Sequence, residues 1–200
     1  MNATAAFPII RLNPDGTYDN TFSSDGRYSK LMGTAARTAE AHAIAVGPDD
    51  NIYVSGYSAT ATATALTVLS VTPTGGVNIG FGNFGTTKFV IPPFASATEI
   101  VFQPDGKILL GGYCYVSADR TYFIHFRLNP NGSADPTFGA PSTPGLFVST
   151  LNENFKAELI VDMDLLPDTR LLSLGWMNTS VNLGVGPVKA VVFRNLMDFV

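Results

Sequence analysis

Charge is what this sequence has least of. Only 14% of its 200 residues are Asp, Glu, Lys or Arg, against roughly 25% in an average soluble protein. Few charges oppose association, so the surface suits extensive contact with other chains. The formal net charge is −4, which argues against a general nucleic-acid binder, since such a protein normally needs a basic face. There is no unbroken run of about eighteen apolar residues, so no segment reads as a membrane-spanning helix. The start, Met1-Asn2-Ala3-Thr4-Ala5-Ala6-Phe7, lacks the basic opening and apolar stretch of a secretory signal. One cysteine, Cys114, leaves no intrachain disulfide to hold the fold. Between Tyr113 and Tyr115 it reads as a small packed residue rather than a nucleophile or metal ligand. Helical periodicity with a cap is also missing throughout.

Turn residues are abundant, and they recur in order. Arg11-Leu12-Asn13-Pro14-Asp15-Gly16-Thr17-Tyr18-Asp19-Asn20-Thr21-Phe22 aligns without gaps on Arg127-Leu128-Asn129-Pro130-Asn131-Gly132-Ser133-Ala134-Asp135-Pro136-Thr137-Phe138. A degenerate copy, Ser70-Val71-Thr72-Pro73-Thr74-Gly75-Gly76-Val77-Asn78-Ile79-Gly80-Phe81, lies between them. A second signature alternates with the first. It reads Gly47-Pro48-Asp49-Asp50-Asn51-Ile52, then Gln103-Pro104-Asp105-Gly106-Lys107-Ile108, then Leu166-Pro167-Asp168-Thr169-Arg170-Leu171. Successive copies are spaced by roughly 55 to 65 residues, a period that suits one propeller blade.

Both signatures are turns with a mechanism. Proline presets φ, Asp or Asn bonds its own backbone, and Gly16, Gly106 and Gly132 supply positive φ. The flanks alternate or run apolar over short stretches, as strands do. The reading is all-β: about three four-stranded units, approximately 27–81, 86–138 and 146–195, in a single domain over 1–200. A leftover strand at 7–13 would precede them.

These two signatures resemble those of the bacterial delta-60 repeat family. The resemblance is strongest over 97–139, good at 9–22 and faint after Ser149. It implies a β-propeller-like fold and no catalytic residues.

The polar residues invite chemistry, and the repeat gives most of them structural work. Arg11 and Asp19 recur as Arg127 and Asp135, while the middle copy changes both together, to Ser70 and Asn78. Joint loss predicts that each pair meets and neutralises itself across its turn. The turn aspartates Asp15, Asp49, Asp105 and Asp168 are too dispersed for a calcium loop. Asp162 and Asp164 share a strand face, which reads as a solvated face before it reads as a metal site. His42 and His125 have no Cys or His at ligand spacing, and no Gly-x-Ser-x-Gly elbow supports a nucleophile. Gly80-Phe81-Gly82-Asn83-Phe84-Gly85 lacks the strand-to-helix setting of a phosphate loop. Asn131-Gly132-Ser133 and Asn178-Thr179-Ser180 fit the N-glycosylation pattern, which an Asn- and Thr-rich chain produces by chance.

Tyr57, Tyr113 and Trp176 occupy equivalent positions, each after a glycine read as ending a strand. They are expected either in the core or as rings that stack on sugars. The expectation is therefore a protein that is not an enzyme, has no cofactor or metal, and partners itself or a larger assembly. Ile10 and Leu12 would share the pairing face of the leftover strand. A virion component, such as a phage tail or capsid-decoration protein, would need no export signal. A lectin-like glycan-binding module is the alternative.

Overall fold

In the computed structural model, residues 5–33, 35–149, 156–178 and the strand 189–195 are described. Among the described residues every regular element is a strand. In chain order these are β1 (Ala6–Ile10), β2 (Arg27–Leu31), β3 (Thr38–Val46), β4 (Ile52–Ala59), β5 (Thr64–Val71) and β6 (Thr86–Val90). There follow β7 (Phe94–Phe102), β8 (Ile108–Ser117), β9 (Arg120–Leu128), β10 (Leu146–Ser149), β11 (Ala157–Leu165), β12 (Leu171–Asn178) and β13 (Lys189–Asn195).

They form four antiparallel sheets in chain order: β1-β2, β3-β4-β5-β6, β7-β8-β9-β10 and β11-β12-β13. The strand content matches the sequence reading, but the grouping is offset from it by one strand. The segment 27–31 does not open a unit running to residue 81. It pairs back onto β1, Pro8 opposite Ser29, as β6 pairs onto β5 and β10 onto β9. The first signature thus joins the third and fourth strands of a sheet, and the second signature joins the first and second. Strand 7–13 is accordingly not an orphan. It is shorter than expected, and β1 is the third strand of a sheet whose first two positions are empty among the described residues.

The turns explain themselves locally. Asp15 Oδ1 accepts from Thr17 N at 3.0 Å, Asn131 Oδ1 from Ser133 N at 3.0 Å and Asp105 Oδ1 from Lys107 N at 3.1 Å. Each bond closes an Asx turn. The corner is left-handed at Gly16, Gly106 and Gly132, and also at Asp50 and Thr169, which replace the glycine of the second signature.

Each first strand carries one extra residue, His42, Thr98 or Val161, as a β-bulge. The residue before the bulge faces a glycine on the second strand: Ala41 opposite Gly56, Ala97 opposite Gly112, Ile160 opposite Gly175. A Cβ on Gly56 would lie 1.9 Å from the Glu40 carbonyl oxygen, and one on Gly112 2.0 Å from that of Ser96. These glycines therefore do not end strands. They sit inside β4, β8 and β12, where the bulged strand comes too close for a side chain.

Apolar burial falls between the sheets. Phe7, Ile9 and Phe22 of the first sheet pack with Val54, Leu69 and Val71 of the second. Tyr53, Leu66, Val68 and Phe81 on the other face of the second sheet pack with Ile100, Ile108, Phe126 and Leu128 of the third. Leu109, Phe123 and Phe138 then meet Ile160, Met163 and Leu171 of the fourth. Alternation along β5 sends odd and even residues to two different layers.

Candidate functional site

The charge pairs sit at the turns that follow β1 and β9. Arg127 Nε donates to Asp135 Oδ2 at 2.7 Å, and both side chains are buried. Arg127 also donates to Thr137 Oγ1 at 2.9 Å and lies over the Phe138 ring. Lys107 Nζ stands 3.2 Å from the same Asp135 oxygen. Burial raises the Asp135 carboxyl, but the Thr137 hydrogen bonds and the two cations outweigh it and hold it down at about 2. Arg11 repeats the arrangement with Asp19 at 2.8 Å and Thr21 at 2.8 Å, half-buried, and its guanidinium also donates to the Pro73 carbonyl of the next sheet. In the middle copy Asn78 Nδ2 donates to Ser70 Oγ at 3.1 Å. A neutral bond has replaced an ion pair at the same place.

Tyr57 and Tyr113 stand one per sheet at the end of the strands away from the Pro-Asp turns, and Trp176 takes the equivalent place in the fourth. All three are half-buried and lie outside the core layers. Phe94 bridges Tyr57 at 4.9 Å and Tyr113 at 5.8 Å between ring centroids, and Tyr115 closes on both Phe94 and Tyr113. The result is an aromatic strip running from sheet to sheet. A cleft of about 70 Å³ opens between Tyr113, Tyr115, Thr121, Glu158 and Trp176. That is room for two or so waters, each taking about 30 Å³ of liquid.

At the near end of the strip the fold assembles a serine, a histidine and a carboxylate. Ser96 Oγ is 3.0 Å from His42 Nδ1, and His42 Nε2 is 3.4 Å from Glu40 Oε2. Glu40 also accepts from the Tyr57 hydroxyl at 2.5 Å. No sequence motif announced this set, because the bulge at His42 is what turns the ring toward the next sheet. Its polarity is reversed for nucleophilic catalysis. The serine is fully buried and the carboxylate exposed, whereas an acylating Ser must meet its substrate and the acid must orient the base. The chemistry it supports is a tie between sheets. Thr98, the next bulge residue, makes the same kind of tie to the Ile160 carbonyl.

The remaining sites are structural in geometry. No group of three His, Cys, Asp or Glu side chains able to hold a metal occurs among the described residues. Asp162 stands near Glu99, and burial together with the Asp162 charge pushes the Glu99 carboxyl up. Cys114 is buried, and burial pushes its thiol up to about 11, so it has little thiolate character. The Asn178-Thr179-Ser180 pattern extends outside the described residues.

His125 is buried, its Nε2 2.9 Å from Ser173 Oγ, and desolvation pushes the imidazole down to about 4. A folded value below the unfolded 6.5 gives stability that is complete above pH 6.5. It declines as pH falls from there toward 4, by roughly 1.4 kcal/mol per pH unit. Thermal midpoints at pH 7.5 and pH 5 are expected to differ by several degrees in the wild type. The difference should shrink in His125→Gln; an equal acid loss in the variant refutes the assignment.

Among known proteins, no curated relative matches the chain. Residues 3–22 and 103–138 match the family model described as a β-propeller domain of unknown function, DUF5122. Those segments hold the first charge pair with its turn, and the second charge pair with both kinds of turn, so the chain is similar to a β-propeller repeat family in the elements that build its sheets.

Proposed function

We propose that this chain is a non-catalytic assembly protein, whose propeller-like sheets are completed by contact with further sheets of the same kind. The observation that carries the reading is a difference between equivalent positions. Ile44 is 61% exposed, while its counterparts Ile100 and Met163 are 5% and 6% exposed. Leu12 is 53% exposed, against 0% for Val71 and Leu128. Ile100 and Met163 face the preceding sheet. Ile44 faces the place where the first two strands of the first sheet would stand. Leu12 and Ile10 face where a still earlier sheet would pack. Burying these three aliphatic side chains contributes on the order of 1.5–3 kcal/mol each, a strong drive to association at a weakly charged surface.

A phage tail or capsid-decoration protein, made by repeating one chain, is an assembly of this kind. The resemblance to delta-60 repeats agrees with a structural role, since its motifs are the turns and their ion pairs. The glycan reading is the weaker one. The aromatics are free of the core, as it requires, but the rings of Tyr57 and Tyr113 are already engaged with Phe94, and the cleft beside Trp176 is small.

Sedimentation velocity tests the assembly. The wild type is expected to shift to larger species as concentration rises. Leu12→Asp and Ile44→Asp should remain monomeric with unchanged circular dichroism. A compact wild-type monomer at high concentration refutes the proposal.

A further inference from the structure

The closing strands of the first two sheets, β2 and β6, stand on either side of an open cleft of about 580 Å³. Lys30 and Lys88 look toward each other across it. Lys30 lies opposite Phe7, on the face of its sheet that packs toward the second. Lys88 lies opposite Thr67, on the face of β5 that carries Leu69 and Val71 toward the first. The Lys88 ammonium donates to the Met32 carbonyl at 2.6 Å, which holds it over the gap. No carboxylate lines the cleft, and neither lysine forms a salt bridge among the described residues.

The repeat does not ask for these lysines. Gly26, Gly85 and Gly145 hold the same place, each accepting through its carbonyl from the head of its signature: Arg11, Ser70 and Arg127. Counted from these glycines, Phe89 is the counterpart of Lys30, and Val148 of Lys88. The gap between the second and third sheets is therefore apolar, and Phe89 closes it on Phe126 at 4.6 Å between ring centroids. Between the first and second sheets two like charges take those places. They repel in a partly desolvated space, where burial pushes the Lys88 ammonium down. Packing gives no reason for such a pair; a bound anion does. Phe84 stands at the rim, 72% exposed, with φ at +49°. A bulky side chain takes that left-handed backbone only under strain, and its counterparts, Asp25 and Pro144, are not aromatic. Asn83 also lines the cleft, with Thr86, whose buried hydroxyl has no partner among the described residues.

We propose that this cleft binds an acidic sugar, with its carboxylate or sulfate between Lys30 and Lys88 and its ring against Phe84. The volume falls within the roughly 300–1,000 Å³ of small-ligand sites. Lysines meet a carboxylate or sulfate as point charges, without the planar fork of arginine. Phe84 offers one ring face at an open rim, which suits a pyranose whose far face and hydroxyls stay wet. A nucleobase is more often held between two walls. Asn83 and Thr86 stand where ring hydroxyls need neutral partners. Tyr57, Tyr113 and Trp176 line no part of the cleft. It needs no second copy, so the site stands whether or not the chain assembles.

Calorimetric titration of the full chain tests the site, with glucuronate and glucose sulfate as probes. Glucose, inorganic sulfate and adenosine monophosphate are the comparisons. At least one acidic sugar is expected to bind more tightly than every comparison, and less tightly as salt rises. Lys30→Gln and Lys88→Gln should each weaken binding by about ten-fold or more, the loss of one charged contact. Phe84→Asn should weaken it too, while raising the thermal midpoint of the unliganded chain, because Asn accepts positive φ. Lys30→Gln should leave that midpoint unchanged or higher, since it removes a repulsion. A purely structural role would lower the midpoint in both. Failure of both acidic sugars to bind overturns the proposal. So does equal or tighter binding of sulfate or adenosine monophosphate, or binding that survives all three variants undiminished.

Discussion

Gly56→Ala is expected to cost about 4 kcal/mol or more, a loss in the range reserved for direct steric conflict. At roughly 2–4 °C per kcal/mol for a chain of this size, the thermal midpoint should fall by about 10 °C. The added methyl would stand 1.9 Å from the Glu40 carbonyl oxygen, and that oxygen belongs to the backbone of the bulged strand. No rotamer change relieves it; β3 must separate from β4 or lose its bulge. Losing the bulge would turn His42 away from Ser96 and sever the tie to the third sheet. Gly80→Ala is the control, since a Cβ there meets only the Asn78 side chain at 3.4 Å and φ is not positive. Equal midpoints for Gly56→Ala and Gly80→Ala would remove the bulge from the argument.

Arg127→Ser is expected to destabilise by about 3 kcal/mol, because it leaves a buried carboxylate without its main counter-ion. Lys107 still reaches Asp135, which keeps the loss below the upper end of the range measured for broken buried pairs. Adding Asp135→Asn should restore part of it, since the middle copy carries Ser70 and Asn78 in these two places and bonds them directly. Strict additivity in the double-mutant cycle would sink the coupling. Acid supplies a second reading of the same pair. With the Asp135 carboxyl held at about 2, below its unfolded value, the stabilisation is complete above about pH 4 and is lost as pH falls toward 2. Arg127→Ser should blunt this limb of the denaturation profile. Arg11→Ser should matter less, because its pair with Asp19 is half-exposed and solvent screens it.

The turns and the ion pairs were legible because their causes are local. Pro14-Asp15-Gly16 carries its own φ preference and its own Asx bond, and Arg127 with Asp135 lies within one loop whose degenerate copy changes both. The sheet boundaries were not legible, because the repeats mark corners, and a corner does not say which strand edge its flank will find. Residues 27–31 read equally well as the opening of one sheet or the close of another. The bulges were hidden for a different reason. One extra residue in Thr38-Ala39-Glu40-Ala41-His42-Ala43 leaves no compositional trace, and its signal lay instead across the sheet, in Gly56, Gly112 and Gly175. The Ser96, His42 and Glu40 set depends on that bulge, so it was beyond the sequence as well. Tyr57, Tyr113 and Trp176 were placed by repeat position but not by depth, which neighbouring sheets decide.

Because each apolar layer lies between two sheets and none lies within one, no sheet here owns a core. The second sheet depends on the first through Phe7 and Phe22 and on the third through Ile100 and Leu128. Its free energy is therefore mostly coupling to neighbours, as in a one-dimensional array of weak elements with strong nearest-neighbour terms. An array of that kind unravels from its ends, where a sheet has one neighbour rather than two. The number of sheets packed in a row then governs how the described sheets melt, because each sheet is held chiefly by its neighbours.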